Sequence, residues 1–167
     1  LEVTSSVVGA HVNTSGILST SAGDSGTANA TLTVDGERAG ISMSFSPNPI
    51  NKNAISTLTY NINNSLSGAN HNFLLFNNTL PAGLLISNQP NSITNCTGGL
   101  GQASITGVPG TNSIKLVQGY VAAGSSCSVS IDVIAAASGV YTNQLNDLST
   151  NGSNKSGNAT ALLNVVN

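Results

Sequence analysis

Ile131-Asp132-Val133, followed by Gly139, Tyr141, Asn143 and Leu148-Ser149-Thr150 and closed by Ala159-Thr160-Ala161-Leu162-Leu163-Asn164-Val165, is the stretch on which the fold turns, because residues 1–34 repeat it. With a shift of about 130 positions, Leu1-Glu2-Val3 falls on Ile131-Asp132-Val133, Gly9 on Gly139, His11 on Tyr141, Asn13 on Asn143 and Leu18-Ser19-Thr20 on Leu148-Ser149-Thr150. One deletion, opposite Lys155 or a neighbour, then keeps Ser25-Gly26 on Ser156-Gly157 and Ala28, Ala30, Leu32 and Val34 on Ala159, Ala161, Leu163 and Val165. Roughly a dozen identities in so short a segment make internal repetition the first thing to explain. The chain therefore divides into residues 1–34, the C-terminal strands of one unit; residues 35–40, a linker with two glycines and three charges; and residues 41–167, a complete unit.

Inside the complete unit the pattern is that of strands. Ile41, Met43 and Phe45 alternate with serines until Pro47-Asn48-Pro49, where missing donors mark an edge or a strand switch. From Ala54 to Asn64, Leu58, Tyr60 and Ile62 share one face and Thr57, Thr59 and Asn61 the other. Phe73-Leu74-Leu75-Phe76 is a continuous apolar run, read as a strand covered on both sides or reaching an interface. Cys127, Val129, Ile131 and Val133 again share a face, with Asp132 alternating outward. No long window keeps a helical period, and the Ala135-Ala136-Ala137 run reads as the end of a strand. Short strands between Gly-rich turns predict an all-β, Ig-like antiparallel sandwich preceded by a partial copy of itself.

Charged residues are 6% of the chain, against about 25% in ordinary domains, while 39% are hydrophobic. So much apolar, alternating sequence argues against disorder. A net charge of −2 with four Lys and Arg offers nothing to neutralise phosphates or anionic lipid, so neither nucleic acid nor an anionic membrane is an expected partner. No apolar run reaches the ~18 residues of a membrane span, and no signal peptide opens the sequence. Cys96 and Cys127 form an even pair, read as one disulfide in an oxidising compartment, the alternative being two buried thiols.

A catalytic reading finds little to build on. His11 and His71 lie in different units and are expected at the surface or at strand ends; Asp132 and Asp147 are isolated carboxylates; no nucleophile elbow is present. Gly98-Gly99-Leu100-Gly101 lacks the lysine of a phosphate loop. The expectation is no enzyme, no cofactor and no metal.

Several phrases also look familiar in order along residues 41–165: Ser44-Phe45-Ser46-Pro47-Asn48-Pro49-Ile50, the run Ser56 to Asn64, Leu80-Pro81-Ala82-Gly83-Leu84, Gly124-Ser125-Ser126-Cys127-Ser128-Val129 and Gly139-Val140-Tyr141-Thr142-Asn143. They resemble the Ig-like repeats of bacterial surface proteins, the family known as domain of unknown function eleven, and its relatives. The resemblance implies an exported bacterial or archaeal protein built of tandem sandwiches, and implies no activity.

Two kinds of role follow. The first is a structural module of an extracellular filament, adhesin stalk or surface layer, whose partners are copies of itself or adjacent repeats. Low charge removes the repulsion that keeps sheet edges apart. Leu1, Val3, Ala28, Ala30, Leu32 and Val34 are then the candidates for strand complementation, met either by a preceding domain or by a neighbouring subunit. The second is a module binding glycans or protein, for which Tyr120 and Tyr141 are the aromatics expected to be exposed.

Overall fold

The computed structural model of the chain describes residues 3, 5, 7–34, 38–150, 154–155 and 157–167. Leu1 and linker positions 35–37 lie outside the described residues. In chain order the strands are β1 (Gly9–Thr14), β2 (Ser19–Thr20), β3 (Gly23–Asp24), β4 (Asn29–Val34), β5 (Gly40–Ser46), β6 (Ile50–Asn51), β7 (Ile55–Asn63), β8 (His71–Thr79) and β9 (Leu84–Ile86). They continue as β10 (Ile93–Thr94), β11 (Ser104–Gly107), β12 (Ser113–Val121), β13 (Ser126–Ala135), β14 (Gly139–Leu145), β15 (Ser149–Thr150), β16 (Asn154–Lys155) and β17 (Ala159–Val166). No helix occurs among the described residues.

From β5 to β17 these strands make an Ig-like sandwich. One sheet runs β10-β13-β7-β5, with β9 also on β13; the other runs β11-β12-β8-β15-β16, and β14-β17-β6 forms a further three-stranded group. The alternation in β7 puts Leu58, Tyr60 and Ile62 wholly inside, opposite Ile131, Val129 and Cys127 of β13. Leu74 and Phe76 of β8, Ile114 and Leu116 of β12 and Leu163 of β17 join them in one core. Each such side chain contributes about 1.5–3 kcal/mol by leaving water.

Pro47 and Pro49 mark a strand switch. The chain leaves β7 after β5 and resumes as β6, parallel to β17 with Ile50 opposite Val165. Asn48 closes the seam: its Nδ2 donates to Leu162 O at 2.7 Å and its Oδ1 accepts from Asn164 N at 2.9 Å.

The structure departs from simple alternation in several places. Strand β1 starts at Gly9, and none of the described residues between 3 and 8 is in a strand. The counterpart of Val3, Val133, lies in β13 and pairs with Ser56 of β7, whereas those of Val7 and Val8, Ala137 and Ser138, lie outside any strand; Val3, Val7 and Val8 are 64%, 62% and 50% exposed.

His71 is buried (3% exposed), although it does lie at a strand end. Phe73 and Gln118 both have φ 55°, and the β8–β12 register shifts between Leu116 and Gly119. A second shift, between Gly119 and Val121, leaves an extra residue on β8 between His71 and Leu74, which moves the alternation there and turns His71 in. Gly119 permits it, since a Cβ there would lie 2.9 Å from Leu74 Cβ. Phe73 and Leu75 alternate with buried Leu74 and Phe76 and are 47% and 37% exposed, so the apolar run is not covered on both faces.

Asp132 is also buried, because the segment between β9 and β10 folds over its strand. Its carboxylate accepts from Thr57 Oγ1 at 2.6 Å and Asn91 Nδ2 at 2.7 Å, while its backbone bonds Pro90 O and Ser87 N. Asp132→Ala strands both side-chain donors and should lower unfolding free energy by about 1–3 kcal/mol in a urea titration. An unchanged midpoint would mean that the carboxylate holds nothing in place.

Candidate functional site

The repeated stretch forms the same object twice. In the complete unit β14 pairs with β17 so that Gly139 faces Val165, Tyr141 faces Leu163 and Asn143 faces Ala161. In the N-terminal segment β1 pairs with β4, with Gly9 facing Val34, His11 facing Leu32 and Asn13 facing Ala30. These are the sequence-aligned partners, pair for pair. The small inner ladders agree too: Ser19 faces Asp24 and Thr20 faces Gly23, as Ser149 faces Lys155 and Thr150 faces Asn154. Asp24 thus stands on Lys155 and Gly23 on Asn154, so the one-residue length difference falls just before them. Gly26 and its counterpart Gly157 both take positive φ, 76° and 87°, where an L side chain would be strained.

The two copies differ in what they touch. Strand β17 lies against β5 and pairs with β6, and β14 lies against β8. Its group is accordingly buried: Tyr141 is 9% exposed, Leu145 1%, Leu148 0%, Ala159 5%, Ala161 8%, Leu163 0% and Val165 2%. Strands β1 and β4 pair only with each other among the described residues. Ala28, Ala30 and Asn13 are exposed, His11, Leu32 and Val34 are half-buried, and Leu18 is 66% exposed where Leu148 is fully covered. A lone two-stranded hairpin is marginal in water.

Beneath β14 in the complete unit lies a buried polar cluster. Tyr60 Oη donates to Asn78 Oδ1 at 2.6 Å and Asn143 Nδ2 donates to the same oxygen at 2.8 Å. Asn78 Nδ2 donates to Gln144 O at 2.8 Å, and Asn143 Nδ2 lies 3.4 Å from Met43 Sδ. Burial drives the Tyr60 phenol far above its ordinary 10.0, partly opposed by Asn143. Its ring packs on Phe76 with centroids 4.5 Å apart. The cluster joins β5, β7, β8 and β14, so the closing hairpin is held by directed bonds as well as by apolar contact.

Among the aromatics proposed for ligand contact, Tyr141 is buried, a correction to its expected exposure. It shares the inward face with Asn143 and Leu145, its ring lies against Gly83, and its hydroxyl donates to Ala137 O at 2.9 Å. His11 reproduces that bond in the N-terminal copy, Nε2–H donating to Val7 O at 2.7 Å, again four residues back. Tyr120 is half-buried, with the Gly98-Gly99 turn folded onto its ring. Cys96 and Cys127 are bonded, S–S 2.10 Å, and both are buried. Val3 is exposed, apart from the β1–β4 pair.

Asn13 and Leu18 were not singled out by composition or motif, yet the repeat alignment already set them on Asn143 and Leu148. A separate cleft of about 480 Å³ lies between β8 and β14, lined by Leu75, Asn77, Thr79, Gln144, Asn146 and Asp147 among others. No group of three or more His, Cys, Asp or Glu able to hold a metal occurs among the described residues.

A family model described as Domain of unknown function (DUF7933) matches residues 40–165. Its number differs from the domain of unknown function eleven that the quoted phrases resemble. A comparison with curated proteins found no match. Among solved structures the chain is similar to BslA, a bacterial hydrophobin, with TM-score 0.46 and 15% identity over 77% of this chain and 94% of that one. It is also similar to the collagen-binding domain of a Staphylococcus aureus adhesin (TM-score 0.46, 14% identity, 77% and 97% covered). A third is a non-cellulosomal cohesin from the archaeon Archaeoglobus fulgidus (0.43, 13%, 77% and 93%).

Proposed function

We propose that this chain, which belongs to the DUF7933 family, is a non-catalytic structural module of an extracellular bacterial or archaeal assembly, and that residues 9–34 close the sandwich of a neighbouring unit of the same kind. The observation that carries this reading is the hairpin β1–β4, which matches β14–β17 in register and leaves exposed or half-buried the face that β14–β17 buries. The closing strands of one unit then run directly into the next, across a linker that ends by residue 38, because Ala39 is already in the core and Gly40 opens β5. The disulfide fits an oxidising exterior. The scarcity of charge leaves little repulsion between units.

A two-unit polypeptide, made by setting residues 40–138 ahead of residue 9, tests the reading. Its first unit must take 9–34 as its closing hairpin. Calorimetry should give an unfolding enthalpy about twice that of one unit, since enthalpy scales with the residues folded. An enthalpy of a single unit would overturn the proposal.

A second reading, an adhesion module for neutral polyols, draws on the β8–β14 cleft, where Asn77, Gln144 and Asn146 amides offer both donors and acceptors beside Leu75 and Pro81. With Tyr141 buried, such binding would depend on this cleft. A glycan-array signal lost on Gln144→Ala would promote it.

A further inference from the structure

We infer that Asn13 is the residue by which the hairpin selects its acceptor, and that the acceptor is a unit of this same domain presenting a buried tyrosine and asparagine, as Tyr60 and Asn78 do here. The inference rests on the reading of 9–34 as a closing hairpin and names the partner of that surface.

The apolar positions of the hairpin are permissive. Ala28, Ala30, Leu32 and Val34 would suit many sheet faces, because apolar contact has no direction. Asn13 is different. Its counterpart Asn143 is fully buried, and Asn143 Nδ2 reaches Asn78 Oδ1 while Tyr60 Oη reaches the same atom. The shared register places Asn13 over that point when β1 takes the place of β14, since Asn13 opposes Ala30 as Asn143 opposes Ala161. On an acceptor with an apolar floor, the Asn13 amide would be desolvated without a partner, which disfavours docking by roughly tenfold or more. On an acceptor with the Tyr–Asn pair it would complete the cluster. A single buried asparagine sets register and partner in coiled coils on the same principle.

Two neighbouring differences set the strength rather than the choice. His11 stands for Tyr141 and keeps the bond to the backbone four residues back. Ser15 stands for Leu145, so the N-terminal copy brings less apolar volume to the interface and should not displace β14–β17 from its own sandwich.

The test is a full-length chain in which residues 139–165 are replaced by the sequence of residues 9–34, compared in denaturant with Asn13→Leu in the grafted copy, Asn78→Leu, and the pair. The graft should fold with one cooperative transition. Each single change should lower the folding constant about tenfold. The double change should lower it by clearly less than the product, because the bond between Asn13 and Asn78 can be lost only once, while the Tyr60 hydroxyl loses its acceptor with Asn78 in both cases. If Asn13→Leu costs nothing, or the two changes simply multiply, Asn13 does not select the acceptor, although the hairpin still closes the unit. If the graft fails to fold, a second graft carrying His11→Tyr and Ser15→Leu restores the missing volume and is read in the same way. Failure of that one too would mean that 9–34 cannot close this sandwich, and would overturn both the inference and the reading beneath it.

Discussion

Leu163→Ala is expected to lower the stability of the sandwich by about 2–5 kcal/mol, whereas Leu32→Ala, the same residue at the same register position of the other hairpin, should leave the unfolding midpoint unchanged. Leu163 is 0% exposed and faces Tyr141; Leu32 is half-buried and faces His11. Removing three carbons from Leu163 takes away their transfer free energy and leaves a cavity between β17, β5 and the core. Removing them from Leu32 only trims a surface with no sheet behind it. The measurement is urea unfolding followed by far-UV circular dichroism. Equal losses at both sites would mean that the N-terminal hairpin is packed in this chain as firmly as the C-terminal one. In the two-unit polypeptide the asymmetry should vanish, and Leu32→Ala should then cost its own unit about as much as Leu163→Ala costs the second.

The second large effect belongs to the disulfide. Cys127 opens the core face of β13, opposite Ile62, and Cys96 sits in the loop whose carbonyl receives Tyr120 N at 2.7 Å. The bond therefore ties the 95–101 loop, and through it β12, to the neighbouring sheet. Freeing a loop of about 32 residues in the unfolded chain corresponds to about 3–4 kcal/mol. A Cys96→Ala, Cys127→Ala double variant should melt roughly 10 °C lower or more. Reductant added to the native protein should act slowly, because both sulfur-bearing residues are buried. A melting point unchanged in the double variant would show that the loop is held by its backbone bonds alone.

Much of this architecture is legible before any coordinates. Alternation alone places β5, β7 and β13 and the inward sets on them, because a strand with one wet face writes its period into the sequence. The repeat places the hairpin, down to the facing pairs, because pairing register and homology are the same alignment here.

What stayed hidden was set by contacts distant in sequence. Asp132 alternates outward by period, yet residues 87–91 fold over it and supply its partners. His71 lies beyond a bulge, which period two cannot foresee. Tyr141 looked free as an isolated aromatic, although its spacing from Asn143 and Leu145 already puts it on the inward face.

The central claim is that residues 9–34 are the closing strands of a neighbouring sandwich, and amide hydrogen exchange on the two-unit polypeptide tests it most directly. If it holds, the amides of 10–14 and 29–34, which are expected to exchange fast in the chain alone as in any unsupported hairpin, will slow to the rates of 140–145 and 160–165 once residues 40–138 precede them. If those amides exchange equally fast in both polypeptides, the hairpin closes nothing and the claim is wrong.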